Sequence, residues 1–354
     1  MGKKKILAGL AGLMVVLCVA FTATFDPSNN TVSLEDVRKD MGSVRPAGSI
    51  ELKLGMSVPI SGSWGEAVQT FARLLEEATG GRYYVMIYGN DELSGGNQVG
   101  GIEMLQSGAT DLYVQDVLIW SSIEPKLAAP AFPWLFRSND EADAAMRGDG
   151  GQAIKEMVSE VGAVCIGIGS NGFRQLVNTR RPVASPADME GLKIRVPGIN
   201  MYVELFKDLG ADPVTMSASE RYTALQQGAI DGCENPLELH ITQKDAEVVK
   251  YCTIWNYSYD PVLFCSSEKL WNSLSDEDKA IFSECGQKAM DVMIAALRSS
   301  EEGYREQMEN EFGIEFTDLT PEQLGAFQKA AQPVYQTFKD SIGEDVFEAF
   351  GYKF

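Results

Sequence analysis

Side chains able to do acid–base or metal chemistry are scarce in this chain. His240 is its single histidine, which excludes a two-histidine metal centre and weakens any histidine-based acid–base mechanism. We read His240 as a partly exposed structural residue. Gly95-Gly96 and Gly150-Gly151 lack the spacing of a phosphate-cradling loop, and no G-x-S-x-G turn occurs. Carboxylate runs such as Glu301-Glu302 and Asp276-Glu277-Asp278 fall in helical stretches and read as solvated faces. Residues suited to holding an anion stand out instead. Arg195 lies in Lys193-Ile194-Arg195-Val196-Pro197, an alternating run that puts Lys193 and Arg195 on one face. A guanidinium at a strand end grips a carboxylate through two parallel hydrogen bonds, which an ammonium cannot reproduce. Arg174, in Asn171-Gly172-Phe173-Arg174, is of the same kind. Asn235 follows a strand-like run and offers both donor and acceptor, although taken alone it reads as an Asn-Pro turn.

The elements that must position these residues occur as a pattern repeated twice. Glu51 to Met56 alternates like a strand, and Trp64 to Ala78 carries helical periodicity. Arg82 to Tyr88 reads as a strand, Gln98 to Gln106 as a helix and Thr110 to Val114 as a strand. The second passage has a strand at Leu192 to Val196 and a helix at Asn200 to Leu209. It continues with a strand at Asp212 to Thr215, a helix at Ser219 to Gln227 and a strand at Ala229 to Cys233. Leu105-Gln106-Ser107-Gly108-Ala109-Thr110-Asp111 and Leu225-Gln226-Gln227-Gly228-Ala229-Ile230-Asp231 share the wording L-Q-x-G-A-x-D. Strands alternating with helices imply two similar α/β lobes with mostly parallel sheets. Ligands of such lobes bind beyond the carboxyl ends of the strands. Further along we expect a helix around His240 to Val249 and strands at Cys252 to Tyr257 and Val262 to Ser266. Ser275, with Asp278 three residues on, reads as the cap of a long helix running to about Glu311 and broken or bent near Gly286 or Gly303. That helix is long enough to span both lobes. Pro321 to Phe338 and Glu344 to Phe350 supply further helices.

Composition bounds the partners. The 354 residues suit two lobes, and the net charge of −20 argues against nucleic acid, whose binding needs basic residues to neutralise phosphates. Lys3, Lys4 and Lys5 precede an apolar run from Ile6 to Ala20, which reads as an export signal over residues 1–25, cleaved or kept as an anchor. Residues 26–50 read as a polar tether. Five cysteines follow the signal, Cys165, Cys233, Cys252, Cys265 and Cys285, without the close spacing of a metal or redox site. They read as buried small hydrophobes, with Cys252 and Cys265 placed to meet across a ladder.

With these motifs on the page, the chain resembles the periplasmic substrate-binding proteins of TRAP transporters, the DctP-like family. The resemblance rests on Gly172-Phe173-Arg174, on Ser185 to Pro197, on Leu209-Gly210-Ala211 with Pro213-Val214, and on Leu225 to Pro236. Trp271 to Ser275 matches more loosely. The resemblance implies a two-lobed periplasmic-binding-protein-like α/β fold whose lobes are joined by crossing strands and a long helix. It implies lobe 1 over 51–172, lobe 2 over 173–260, a return to lobe 1 with the interlobe helix over 261–300, and C-terminal helices over 301–354. Arg195 would form the salt bridge to a small organic anion, Asn235 would hydrogen-bond it and Arg174 would support it. Ser57, Gln98 and Asp116 would face the ligand from the first lobe, and no cofactor is implied. The implied partners are the anion and two integral-membrane permease subunits driven by an ion gradient, in the periplasm. Ala218 and Tyr257 depart from residue types frequent in the family, and Trp64 and Trp255 are candidates for a replacement aromatic wall. A carboxylate, a sugar acid or a short sulfonate such as isethionate fits this reading. Two other classes compete with transport: a sensory ligand-binding module, and a lyase or isomerase acting on organic acids with Asp116 as its one visible acid.

Overall fold

The computed structural model describes residues 45–354; the expected export signal and nearly all of the expected tether lie outside them. β1 (Ile50–Met56), α1 (Ser63–Ala78), β2 (Tyr83–Tyr88), α2 (Gln98–Gln106) and β3 (Leu112–Asp116) follow the first expected run. A stretch that periodicity left unread comes next: α3 (Val117–Trp120), α4 (Asn139–Arg147), α5 (Asp149–Glu160), β4 (Ala163–Phe173) and β5 (Gln175–Asn178). The second run is β6 (Lys193–Val196), α6 (Asn200–Asp208), β7 (Asp212–Thr215), α7 (Ala218–Gln226) and β8 (Gly232–Asn235). Then come α8 (Leu237–Thr242), β9 (Tyr251–Ile254), β10 (Tyr259–Ser267), α9 (Glu268–Ser273) and α10 (Asp276–Asn310). β11 (Glu315–Asp318), α11 (Pro321–Ala330), α12 (Gln332–Ile342) and α13 (Glu344–Ala349) complete the chain.

The strands form two sheets, in the orders β2-β1-β3-β10-β4 and β11-β9-β5-β8-β6-β7. Each repeated run supplies a parallel half: β1 beside β2 and β3, and β6 beside β7 and β8. The sheets are mixed, because the two strands that cross between lobes insert antiparallel. β4 leads through Arg174 into β5, and β9 leads through residues 255–258 into β10. β10 is antiparallel to β3 and β4, and β5 is antiparallel to β8 and β9.

The L-Q-x-G-A-x-D repeat has a structural meaning. In both copies the glycine turns the chain out of a helix at positive φ, 70° for Gly108 and 69° for Gly228. The aspartate three residues later then docks on the first strand of its own repeated run. Asp111 Oδ2 accepts the Lys53 N–H at 2.8 Å, and Asp231 Oδ2 accepts the Lys193 N–H at 3.0 Å. Each aspartate also donates its own N–H to the carbonyl of the same lysine. One short motif therefore sets strand register in both lobes.

α10 runs unbroken over 35 residues, about 52 Å at 1.5 Å per residue. Gly286 is a contact point rather than a break: a Cβ there would lie 2.7 Å from the Ile166 carbonyl of β4, and one at Gly167 would lie 2.7 Å from the Gly286 carbonyl. Near its start Phe282, Met290 and Met293 join the apolar core of the first sheet, and near its end Met308 joins that of the second. Ser275 caps it by accepting the Asp278 N–H at 3.1 Å. The Asp278 carboxylate is taken by Arg82 (2.6 Å) and by the Tyr83 hydroxyl.

Three expectations change. The helix expected over His240 to Val249 is α8 followed by a break at Lys244, whose φ is 67°. The helix expected over Pro321 to Phe338 is two helices, because Pro333 has no N–H to continue the ladder. Cys252 and Cys265 lie in different sheets, and it is Cys165 that stands opposite Cys265 in the β4–β10 ladder. All five described cysteines are free and buried. We predict that Asp231→Ala, which strands the Lys193 amide, lowers stability by about 1–3 kcal/mol in a denaturant titration, while Asp231→Asn, which keeps an acceptor, loses less.

Candidate functional site

The carboxyl ends of β1, β3, β6 and β8 converge on a cleft between the two sheets. Ser57, Val58, Trp64, Gln98, Asp116, Leu118 and Ile119 line it from the first lobe. Arg174, Arg195, Pro197, Ala218, Arg221, Asn235, Leu239 and Gln243 line it from the crossing strand and the second lobe. All seven residues singled out from the sequence thus meet around one cavity. That cavity measures about 20 Å³, room for roughly one water, so an organic acid enters only if the lobes separate.

Arg174 sits where β4 crosses into β5 and is the most heavily bonded group in the cleft. Its Nε pairs with Glu234 Oε2, and its Nη1 with Asp260 Oδ2 at 2.9 Å. Its Nη2 donates to Glu234 Oε1 at 3.0 Å and to Asn235 Oδ1 at 2.9 Å. Burial disfavours its charge, but Glu234 and Asp260 more than offset this and hold its pKa well above the ordinary value. The bond to Oδ1 also fixes the Asn235 amide, so that its buried Nδ2 carries donors without a protein partner.

Arg221, absent from the sequence expectations, is bound in the same way. Its Nε and Nη2 reach the two oxygens of Asp245 at 3.0 and 2.8 Å, and Nη2 also donates to Gln243. His240 is fully buried rather than partly exposed, with Nδ1 3.0 Å from Asp245 Oδ2 and Nε2 3.3 Å from the Gln175 carbonyl. Cys233, His240 and Asp245 bring three candidate metal ligands within 4.8 Å of one another. The donor set does not fit a cation, because Arg221 already occupies both Asp245 oxygens and burial pushes the Cys233 thiol up, keeping it protonated.

Arg195 differs from the other two arginines. It is 2% exposed, and its Nε and Nη2 donate only to the Met216 carbonyl, at 3.1 and 2.8 Å. Among the described residues no carboxylate lies within ion-pair distance of it. Burial, reinforced by the neighbouring Arg221, pulls its pKa down to about 10. It therefore remains a cation at neutral pH, without a counter-charge.

Across the cleft, Asp116 ends β3 and caps α3 by accepting the Ile119 N–H at 3.0 Å. Burial, with a further contribution from Asp260, pushes its pKa up to about 7. Ser57 donates to Gln115 Oε1 at 3.0 Å, which also accepts the Asp116 N–H at 2.9 Å. Trp64 is buried in the wall, its Nε1 held by Asn171 Oδ1. Trp255 is not in the wall: it packs in the core against Tyr257, Phe206 and Phe327. Tyr257 is likewise buried, its hydroxyl on Glu234 at 2.5 Å.

A larger cavity of about 320 Å³ lies between α4, α5 and α10 and shares no residue with the cleft. Its charges are mixed, and its Asp143 is engaged by Tyr259 and Arg298.

The sequence profile of DctP, the bacterial extracellular solute-binding proteins of family 7, matches residues 54–341. In structure the chain is similar to a TRAP periplasmic solute-binding protein from Ralstonia eutropha with bound (S)-2-acetolactate. The TM-score is 0.82 at 31% identity, covering 85% of this chain and 98% of that one. A TRAP protein from a Polaromonas species bound to D-erythronate gives a TM-score of 0.81 at 28% identity, with the same coverage. The sialic acid-binding periplasmic protein of Vibrio cholerae is 29% identical over 296 residues, 83% of this chain and 90% of that protein. The match across most of the chain, with a two-lobed fold closing over buried arginines, makes this chain a member of the DctP family of TRAP periplasmic solute-binding proteins, which bind small organic acids and do not transform them.

Proposed function

We propose that the ligand is a compact monocarboxylate with a hydroxyl or keto oxygen next to its acid group, delivered to two integral-membrane subunits for ion-gradient-driven uptake. Arg195 carries this reading. Arg174 and Arg221 have their own acids, so an incoming anion finds one buried cation whose charge is unanswered. A carboxylate fits a guanidinium face through two parallel bonds. The free Asn235 Nδ2 donors then suit the adjacent oxygen, and Asp116, Gln98 and Ser57 offer partners for further hydroxyls from the opposite wall. Acetolactate and erythronate, bound by the two similar proteins, have this chemistry.

Two measurements test the proposal. Thermal-shift and calorimetric titrations would compare acetolactate, erythronate, glucuronate and isethionate. At 100 times its Kd a true ligand stabilises by about 2.7 kcal/mol. We expect the compact hydroxy and keto carboxylates to bind, and Arg195→Ala to weaken them by about 2–5 kcal/mol. Preference for isethionate, or unchanged affinity in the variant, refutes the assignment. The second measurement is pH dependence. Asp116 binds its proton more tightly folded than unfolded, so its ionisation costs the fold progressively more as pH climbs from 3.8 toward 7. Once ionised it repels the bound anion. Affinity should therefore hold at pH 6 and fall above pH 7, by up to about tenfold per unit, whereas Asp116→Asn should give a flat profile over the same range.

A further inference from the structure

The start of α1 forms one rim of the cleft, since its second residue is Trp64. Its cap residue, Gly62, brings no side chain to the free N–H groups there. The acceptor comes instead from the other lobe. Glu238, in α8 just past β8, accepts the Ser63 N–H on Oε1 at 2.6 Å and the Ser63 hydroxyl on Oε2 at 2.5 Å. Tyr304 of α10 adds a third donor to Oε1 at 3.2 Å. Glu238 is 2% exposed and Ser63 3%. The fit requires glycine at position 62, where φ is 92° and a Cβ would stand 2.7 Å from Glu238 Oε1. Elsewhere α10 and α11 take their caps from Ser275 and Thr320, the residues immediately before them. At α1 the cap is long-range, joining residues 175 apart in sequence.

We infer that Glu238 is a closure latch: a positioning residue outside the ligand's reach that caps α1 only while the lobes are shut and so sets how much of the closed form is populated. This rests on the cleft being the ligand site. Glu238 does not line the cleft, although its neighbour Leu239 does. A carboxylate at a helix N-terminus gains from the exposed N–H groups and from the helix dipole. Lobe separation would pull Glu238 from Ser63 and return both to water. On the second lobe Ser219 meets the Gly96 carbonyl at 3.5 Å, so both rims lose contacts together. Apparent affinity scales with the fraction of protein able to bind. Loss of the latch should therefore weaken every ligand by one common factor, leaving their order intact.

The test uses the full described chain with Glu238→Gln, Glu238→Ala and Ser63→Ala. For acetolactate and erythronate, Kd should rise about 10- to 100-fold in Glu238→Ala, by the same factor for both and mainly through the off-rate. Ser63→Ala keeps the N–H bond and should lose less; it also carries the test if Glu238→Ala does not fold. Unchanged affinity, or a changed ratio between the two acids, overturns the latch. Hydrogen exchange on the ligand-free protein reads the latch even if neither acid binds, separating its failure from that of the ligand assignment. Faster exchange in Glu238→Gln at both the start of α1 and Ser217–Arg221 supports a latch between lobes. Faster exchange at α1 alone means a local cap and overturns it.

Discussion

Arg174 stands where β4 of the first sheet runs directly into β5 of the second, and much of the buried polar structure is arranged around it. Glu234 and Asn235 close β8 of the second sheet and Asp260 lies at the start of β10 of the first, so a single guanidinium ties the two sheets together. The Tyr257 hydroxyl adds a donor to Glu234, Asn171 adds one to Asp260, and Trp64 in turn binds Asn171. Burying two acids and a cation is costly, and such a cluster is weak evidence of stability by itself. Its contribution here is orientation. The network sets which way the Asn235 amide points, through a residue on the segment that crosses between the sheets.

The same reasoning explains how a chain of net charge −20 offers an anion site. The protein's overall field repels anions, so attraction must be local and desolvated. Three arginines reach the cleft; two are neutralised by acids folded in beside them, leaving Arg195 with a carbonyl as its only partner. Under the proposed reading, the neutralised pair shapes the wall and Arg195 grips the anion. Asp116, raised by burial, keeps the opposite wall from adding a full negative charge below neutral pH.

Much of this was legible in the sequence where local rules decide. The repeated helix stop with its aspartate marked two equivalent runs, and the alternation around Arg195 placed it at a strand end. What remained illegible depends on partners far apart in the chain. Arg221 looks like any helical arginine until Asp245 folds beneath it, and Trp255 until Phe327 covers it. The cysteines are buried small side chains as expected, but the ladder position opposite Cys265 belongs to Cys165 rather than Cys252, because the chain changes sheets between Cys252 and Cys265. The stretch from α3 to β5 escaped periodicity because α3 is four residues long and buried throughout, and β4 is apolar and glycine-rich on both faces. Pro333 was visible, but a second proline-led helix so soon after the first was not expected.

α10 is anchored in the first lobe by Phe282 and Met293 and in the second by Met308, with no interruption between them. A continuous rod held at both ends cannot shorten or slide; it can only flex or twist. Any change in the angle between the lobes must therefore be taken up by bending or twisting along this rod or at its two anchored ends. Its 35 residues of uninterrupted hydrogen bonding resist such bending, so the lobes are coupled mechanically by an element that supplies no residue to the cleft.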